Sequence, residues 1–420
     1  MHVSMLDVLR CPYCGGRLEL VTSMFHRRED DEVRDAILGC HCCIFPVVAG
    51  IPVLHLRPDA TAARNQVEAG QPDRALQTMV GLEDGSQAAR FEAAALSESS
   101  TYKDIVEALG PNFEGGYFLY RFSDPTYVVA HAVVRAVAGT VLHGSRRAVD
   151  MCGGSGHLTR SLLDLSAPAP VLADLYFAKA WLARRFMAPG CEAVCCDGNA
   201  PFPFARGTFG LAMCSDAFQY IWTKRQFVGE MERLVDSARA AGREEGAVVI
   251  NHTHNQLAWS PSHGQPLSPA GYRDLFEMIE PRMFGEAGLL EDVVSGGSLD
   301  LSRHDPDATL NADPALTIVA TRHADVFHTH QLATPSRPRG AFRINPLYHA
   351  ERDGRRLRLH LRFPSADYEA EYGACRRYLP NETEVDLAAW EALETGAPAT
   401  GDLADLIRRR VILDLPKDYY

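Results

Sequence analysis

A short apolar run that ends in an acid and passes straight into glycines leaves few folds open to this chain. The run is Ala148-Val-Asp150-Met, and the glycines come next in Cys152-Gly153-Gly154-Ser-Gly156. Glycines let the backbone approach a ligand with no Cβ in the way. From about residue 101 the surrounding texture is alternating helix and strand. Helices are expected over 157–165, 177–187 and 225–240, and strands over 148–151, 171–173, 192–196, 209–214 and 247–251. Further strands near 291–301 and 316–321 would close the sheet. Such alternation predicts an α/β fold with a parallel, doubly wound sheet. An apolar stretch just upstream, 128–142, is broken by His131 and Arg135 and reads as an amphipathic helix.

A glycine turn of this kind can serve a dinucleotide or be no more than a tight turn. The acids and strands downstream of it narrow the reading. Asp174 ends the next strand about 20 residues on, where an acid receives ribose hydroxyls. Asp197 ends the third strand, ahead of Gly198-Asn-Ala-Pro-Phe-Pro-Phe, and the fourth runs through Phe209-Gly-Leu-Ala-Met-Cys into Ser215-Asp216-Ala-Phe-Gln-Tyr220. In this order the segments resemble the class I S-adenosylmethionine-dependent methyltransferases, over roughly residues 101–325. The departure is Cys152, which stands at the first glycine position. The resemblance implies a seven-stranded, Rossmann-like sheet with S-adenosylmethionine as cofactor. Cys152, Gly153, Gly154 and Gly156 would bring backbone to its methionine end, with Asp150 holding the loop near the amino group. Asp174 and Leu175 would meet the ribose, and Asp197 and Gly198 the adenine. Ser215 and Asp216 would face the methyl group. Two plainer readings stay open: Asp174 as a helix N-cap and Ser215 as a strand-end cap.

Upstream, Gly116-Tyr-Phe-Leu-Tyr120-Arg121 puts aromatics and an arginine just ahead of the core. Tyr117, Tyr120 and Arg121 are candidates to contact the cofactor, or to form a packing helix. Methyl transfer from a sulfonium asks the protein for alignment, and for a base only when the acceptor arrives protonated. Candidates for that base lie after the fourth and fifth strands: Tyr220, with Asp216 beside it, and His252 and His254 in Asn251-His-Thr-His, with His263 beyond. Histidine titrates near neutrality, and a His-x-His pair can equally hold a metal. Residues 261–269 read as a flexible insertion at the site. The acidic charge and the lack of a clear RNA-binding domain favour a small-molecule acceptor, and the absence of Asn-Pro-Pro-Tyr after the fourth strand counts against a release-factor or adenine methyltransferase. Rival readings are a tRNA or protein methyltransferase, and a non-catalytic scaffold.

Five of the eleven cysteines lie between Cys11 and Cys43. Cys11-x-x-Cys14 and Cys40-x-x-Cys43 are paired turns, each aiming two sulfurs at one point, which suits a structural, tetrahedral zinc. Cys42 lies inside the second pair and leaves the ligand identity there open. Leu6-Asp-Val-Leu-Arg-Cys-Pro-Tyr-Cys, with Cys40-His-Cys-Cys-Ile-Phe-Pro-Val-Val further on, resembles the small zinc-binding activator subunits of tRNA and release-factor methyltransferases, over about residues 4–56. The resemblance implies a module that binds and stabilises a methyltransferase, here fused in cis.

The division expected is a zinc module at 1–58, a linker with some helix at 59–100, the methyltransferase unit at 101–325 and a C-terminal α+β extension at 326–420. Within the extension, 355–362 reads as a strand and 403–410 as a helix. Its arginines 337, 339, 343, 355, 356 and 358, set among Tyr348, Tyr368 and Tyr372, could receive an anionic substrate or form a solvated face. Asp and Glu (54) outnumber Lys and Arg (42), which argues against broad binding to phosphate backbones. No apolar run reaches the roughly 18 residues of a membrane span. With no basic-then-apolar leader, a cytoplasmic protein is expected. Monomer and homodimer are both compatible with the sequence.

Overall fold

The computed structural model describes residues 1–82, 85–110, 115–142, 146–236, 246–259 and 264–420. Its centre is one seven-stranded sheet. In chain order its strands are β1 (Arg147–Met151), β2 (Val171–Asp174), β3 (Glu192–Cys195), β4 (Phe209–Ser215), β5 (Ala247–His254), β6 (Pro281–Gly285) and β7 (Ala315–Thr321). They lie in the order β3-β2-β1-β4-β5-β7-β6. β1 to β5 run parallel, whereas β7 is antiparallel to both β5 and β6. The sheet is therefore mixed, not wholly parallel.

The strands are buried on both faces, so each reads as a near-continuous apolar run. Ala148, Leu172, Leu211, Met213 and Val249 face one hydrophobic cluster. Val149, Val171, Ala212, Val248 and Ile250 face the other. Helix Pro125–Val141 covers the first face, and helix Lys224–Val235 the second. The former departs from the amphipathic expectation. Val128, Val129, Val133, Val134 and Val137 are all buried, because the helical segment Glu286–Gly296, the strand Ser298–Asp300 and the turn Ala324–Val326 also pack on the helix.

Three further expectations are corrected. Residues 157–165 hold only a 3-10 turn, Thr159–Leu162. Thr159 turns its hydroxyl to Asp150, and Pro168 and Pro170 come soon after, leaving no room for several helical turns. The strand expected near 291–301 is helical through Glu286–Glu291 and Asp292–Gly296. Only Ser298–Asp300 is extended, paired with Thr329–Gln331 outside the main sheet; Pro281–Gly285 takes the place in the sheet instead. The helix expected over 225–240 ends at Val235, and 237–245 lie outside the described residues, as do residues 261–263 of the expected insertion.

The N-terminal strands build a small antiparallel sheet around Glu32–Gly39 and Ile44–Val48. Its last segment docks on the main sheet: Val53 bridges Cys195 in parallel, and the Leu54 N–H donates to the Cys195 carbonyl at 2.7 Å. Residues 58–96 form three helices, Pro58–Glu68, Pro72–Met79 and Gly85–Leu96, which bury Ala63, Val67, Ala75 and Phe91. At the other end, a three-stranded sheet (Tyr348–Asp353, Arg356–Leu361, Glu382–Asp386) and a two-stranded one (Ala341–Ile344, Ile412–Leu415) sit among short helices, including Ala366–Tyr372 and Asp402–Arg408. Arg356 pairs with Glu384 and Arg358 with Asp353, all exposed, so this sheet carries the solvated charged face.

Candidate active site

The carboxyl ends of β1, β2, β4 and β5 converge. After β1 the Cys152 N–H donates to the Ala173 carbonyl at 2.7 Å, tying the glycine turn to β2. Cys152 holds φ +60°. A Cβ at Gly153 would lie 2.8 Å from the Asp150 carboxyl carbon, and one at Gly156 2.8 Å from the Ala183 Cβ. Neither place admits a side chain, which is why the turn needs glycine there. Gly154 donates its N–H to Asp174 Oδ2 at 2.9 Å, while Asp174 Oδ1 accepts the Tyr176 N–H at 2.8 Å. Asp174 thus holds the loop that the sequence asked it to accompany. Leu175 accepts a weak bond from the Cys195 thiol.

Asp150 is buried, with the Thr159 hydroxyl donating to it at 2.6 Å. Burial penalises the carboxylate and raises its pKa to about 7. At the tip of β3, Asp197 accepts the Asn199 N–H at 2.9 Å and pairs with Arg57 at 3.1 Å. Arg57, Tyr13 and His55 line one side of a cavity of about 290 Å³, with Cys196 and Asp197 on the other. Gly198 packs against the Cys152 sulfur.

Across the cleft, the ligand atoms of Asp216, His252 and His254 lie within 4.8 Å of one another. Asp216 and His252 both have left-handed φ, +53° and +50°. Non-glycine residues there are strained, and such strain clusters at functional sites. His252 Nδ1 lies 2.6 Å from Glu286 Oε2; since a carboxylate only accepts, that nitrogen carries the proton. Glu286 Oε1 accepts the His252 N–H at 2.7 Å and the Thr317 hydroxyl at 2.9 Å. Burial would lower the His252 pKa, but the Glu286 carboxylate outweighs it and lifts the value to about 9. Arg121, also buried, donates to Asp216 at 2.9 Å and to Asp124 at 3.3 Å. Burial would raise Asp216, and Arg121 reverses that to hold it below its ordinary value. The His254 pKa is lowered by burial and by His252.

Not every expected residue joins this cluster. Tyr220 stays half exposed on a 3-10 turn outside it. Tyr120 packs its ring on Tyr368, and the Arg121 guanidinium is committed to two carboxylates. His263 lies outside the described residues. Ser215 has a buried Oγ without a hydrogen-bond partner, as have Gln219 Oε1 and Asn251 Nδ2. Sequence reasoning missed Glu286, Asp124 and Arg57. Glu286 and Arg57 lie far along the chain from their partners, with no local pattern to mark them, whereas Asp124 stands three residues from Arg121 and its pairing shows only in the fold.

In the N-terminal module the four sulfurs that gather are those of Cys11, Cys14, Cys40 and Cys42, all within 4.8 Å. The expected fourth ligand was Cys43. Cys43 packs beside them, its N–H donating to the Cys40 sulfur at 3.4 Å and its own sulfur 3.3 Å from that of Cys42.

The segment carrying Tyr117, Tyr120 and Arg121 is held by the C-terminal extension. Tyr419 donates to the Phe118 carbonyl at 2.9 Å, Tyr420 to that of Leu119 at 2.7 Å and Arg410 to that of Phe122 at 2.6 Å. Tyr378 donates to the Ser123 carbonyl at 2.7 Å, and the Tyr372 hydroxyl bonds that of Tyr117.

No described protein family matches the chain, and no curated protein does. Likeness is found among solved structures. A SAM-dependent methyltransferase from Thermotoga maritima is 13% identical, covering 50% of this chain and 94% of the other, with a TM-score of 0.32. Geranyl diphosphate methyltransferase in complex with SAM is 14% identical over 55% of this chain and 94% of its own, TM-score 0.33. A complex of the Haloferax volcanii Trm112 methyltransferase activator with a methyltransferase matches at 15% identity over 46% of this chain and 88% of the other, TM-score 0.33. Likenesses at this level carry no weight for the chemistry, which has to be read from the side chains themselves.

Proposed function

We propose that this chain is an S-adenosylmethionine-dependent methyltransferase acting on a small-molecule acceptor. The observation that supports it most is the cradle after β1: two glycines that admit no Cβ, a loop amide on Asp174, and a buried acid beneath. These residues fit a nucleoside bearing an aminoacyl tail. Asp150 would face its ammonium, Asp174 its ribose, and Asp197 its adenine. When bound, the cofactor supplies an activated methyl group.

The protein's part is to align and to exclude water. Glu286 fixes the His252 ring through Nδ1, and Nε2 lies 3.4 Å from the Thr126 hydroxyl oxygen. Arg121 holds the Asp216 carboxylate. Ser215 Oγ and Asn251 Nδ2, buried and unbonded, are ready to hydrogen-bond a polar acceptor. The unusual Cys152 is small, and its sulfur packs on Gly198, leaving the cleft open.

The N-terminal module fits a structural zinc. Sulfur separations of 3.7 Å for Cys11–Cys42, 3.8 Å for Cys14–Cys40 and 3.6 Å for Cys40–Cys42 match the roughly 3.8 Å edge of a tetrahedron with zinc–sulfur distances of about 2.3 Å. We assign the module the role of a stabiliser carried in cis.

Calorimetry with S-adenosylhomocysteine tests the central reading. Binding at one equivalent per chain is expected. Replacing Asp174 by Ala should weaken it by about 2 kcal/mol, roughly 30-fold, the scale of a hydrogen bond to a charged group. Absence of binding to the intact protein would overturn the assignment.

A further inference from the structure

We propose that Asp216, His252 and His254 bind a divalent transition-metal ion, separate from the four-sulfur centre. The three donors converge within 4.8 Å from the ends of adjacent parallel strands, where Asn251 of β5 pairs with Ser215 of β4. The backbone is bent to achieve this. Two of the three residues hold left-handed φ, and β5 carries an irregularity against β7 between Ile250 and Thr253, the kind of local kink that re-aims a side chain beside a site.

The surroundings also suit a metal. A histidine that ligates through one nitrogen needs its other N–H held, commonly by a carboxylate. Glu286 does this for His252 at 2.6 Å, and is itself fixed by the His252 N–H and the Thr317 hydroxyl. Charge points the same way. Asp124, Asp216 and Glu286 are balanced by one guanidinium, that of Arg121. Carboxylates thus outnumber guanidinium groups around the three donors, which suits a cation. Arg121 holds one Asp216 oxygen and Gln219 Nε2 donates to the other at 3.2 Å, yet each carboxylate oxygen offers more than one lone pair. Ser215 and Asn251, the chain neighbours of Asp216 and His252, keep a buried Oγ and Nδ2 with no hydrogen-bond partner.

Two imidazoles and one carboxylate, with positions left open, suit manganese, iron, nickel or zinc. Such a centre takes an acceptor with two neighbouring oxygens, such as a vicinal diol or a hydroxycarbonyl. A hydroxyl on such an ion ionises far below its free pKa, its proton leaving to water. The oxygen–methyl bond then forms as the sulfur–methyl bond breaks, with the electron pair staying on sulfur. This role rests on the methyltransferase reading; binding of the ion does not.

The test titrates Mn²⁺, and separately Ni²⁺, into full-length protein without cofactor whose zinc content has been set to one equivalent per chain, monitored by calorimetry and by the Mn²⁺ paramagnetic resonance signal. One equivalent should bind, in Cys14→Ser as in the parent. It should be lost in His254→Ala and Asp216→Asn, and weakened roughly 10-fold or more in Glu286→Gln, with circular dichroism confirming that each variant is folded. Failure of both ions to bind at millimolar concentration, or binding that survives both His254→Ala and Asp216→Asn, overturns the proposal. Metal binding in a protein that ignores S-adenosylhomocysteine would sink the cofactor reading and leave this site standing.

Discussion

Asp150 sits under the glycine turn with one hydroxyl for company, and that isolation has a measurable consequence. Its folded pKa of about 7 lies above an unfolded value of about 3.9. An acid so raised favours the fold when neutral, and its contribution fades as pH climbs through about 4 to 7. Ligand binding should run the opposite way, because a cationic amino group needs the carboxylate. Affinity for S-adenosylhomocysteine is expected to tighten as pH rises from about 6 to 8, with the step missing in Asp150→Asn; calorimetry across that range reads it. Arg121 gives a second expectation. Cutting it to Ala strands Asp124 and Asp216 as buried charges, at a cost of about 3–5 kcal/mol, to be seen as a lower midpoint in urea unfolding.

Among the elements, the segment from Tyr117 to Ser123 depends most on distant residues. Four of its carbonyls accept from side chains of the C-terminal extension. Tyr378→Phe strips the Ser123 carbonyl of its partner and should cost about 1–3 kcal/mol. Arg410→Ala removes both bonds to Phe122 and a cation over the Tyr127 ring. In each variant, amides of 117–123 should exchange faster with deuterium while those of β4 and β5 hold. The cysteine turns behave likewise as a unit: Cys14→Ser should lower the zinc content by one equivalent, read by elemental analysis, and lower the melting temperature, since metal binding there is folding free energy.

For the molecule as a whole, what the sequence made legible was whatever is local. The runs forming β1 to β5 are short, apolar and bounded by acids or glycines, so their period and punctuation mark them. Asp150, Gly153, Gly156 and Asp174 stand at fixed offsets along one βαβ unit, and their convergence could be read from spacing. β6 was missed because Pro281–Gly285 comes after a loop and holds no long apolar run. Its position is set by pairing with β7, from Pro281 with Ala320 to Gly285 with Leu316. Glu286 was missed for a related reason: nothing near it in sequence mentions His252, 34 residues away. Spacing could not decide between Cys42 and Cys43 either: their sulfurs lie 3.3 Å apart, and the one that gathers with those of Cys11, Cys14 and Cys40 is that of Cys42.

The bridge from Val53 and Leu54 to Cys195 caps the open flank of the central sheet. An uncapped flank is a template on which foreign chains can pair. Here the capping strand is tethered to the sheet it protects, and a tethered segment acts at an effective concentration on the order of millimolar. No dilution of the protein can strip it away, and a loose peptide would have to outcompete a resident that never diffuses off.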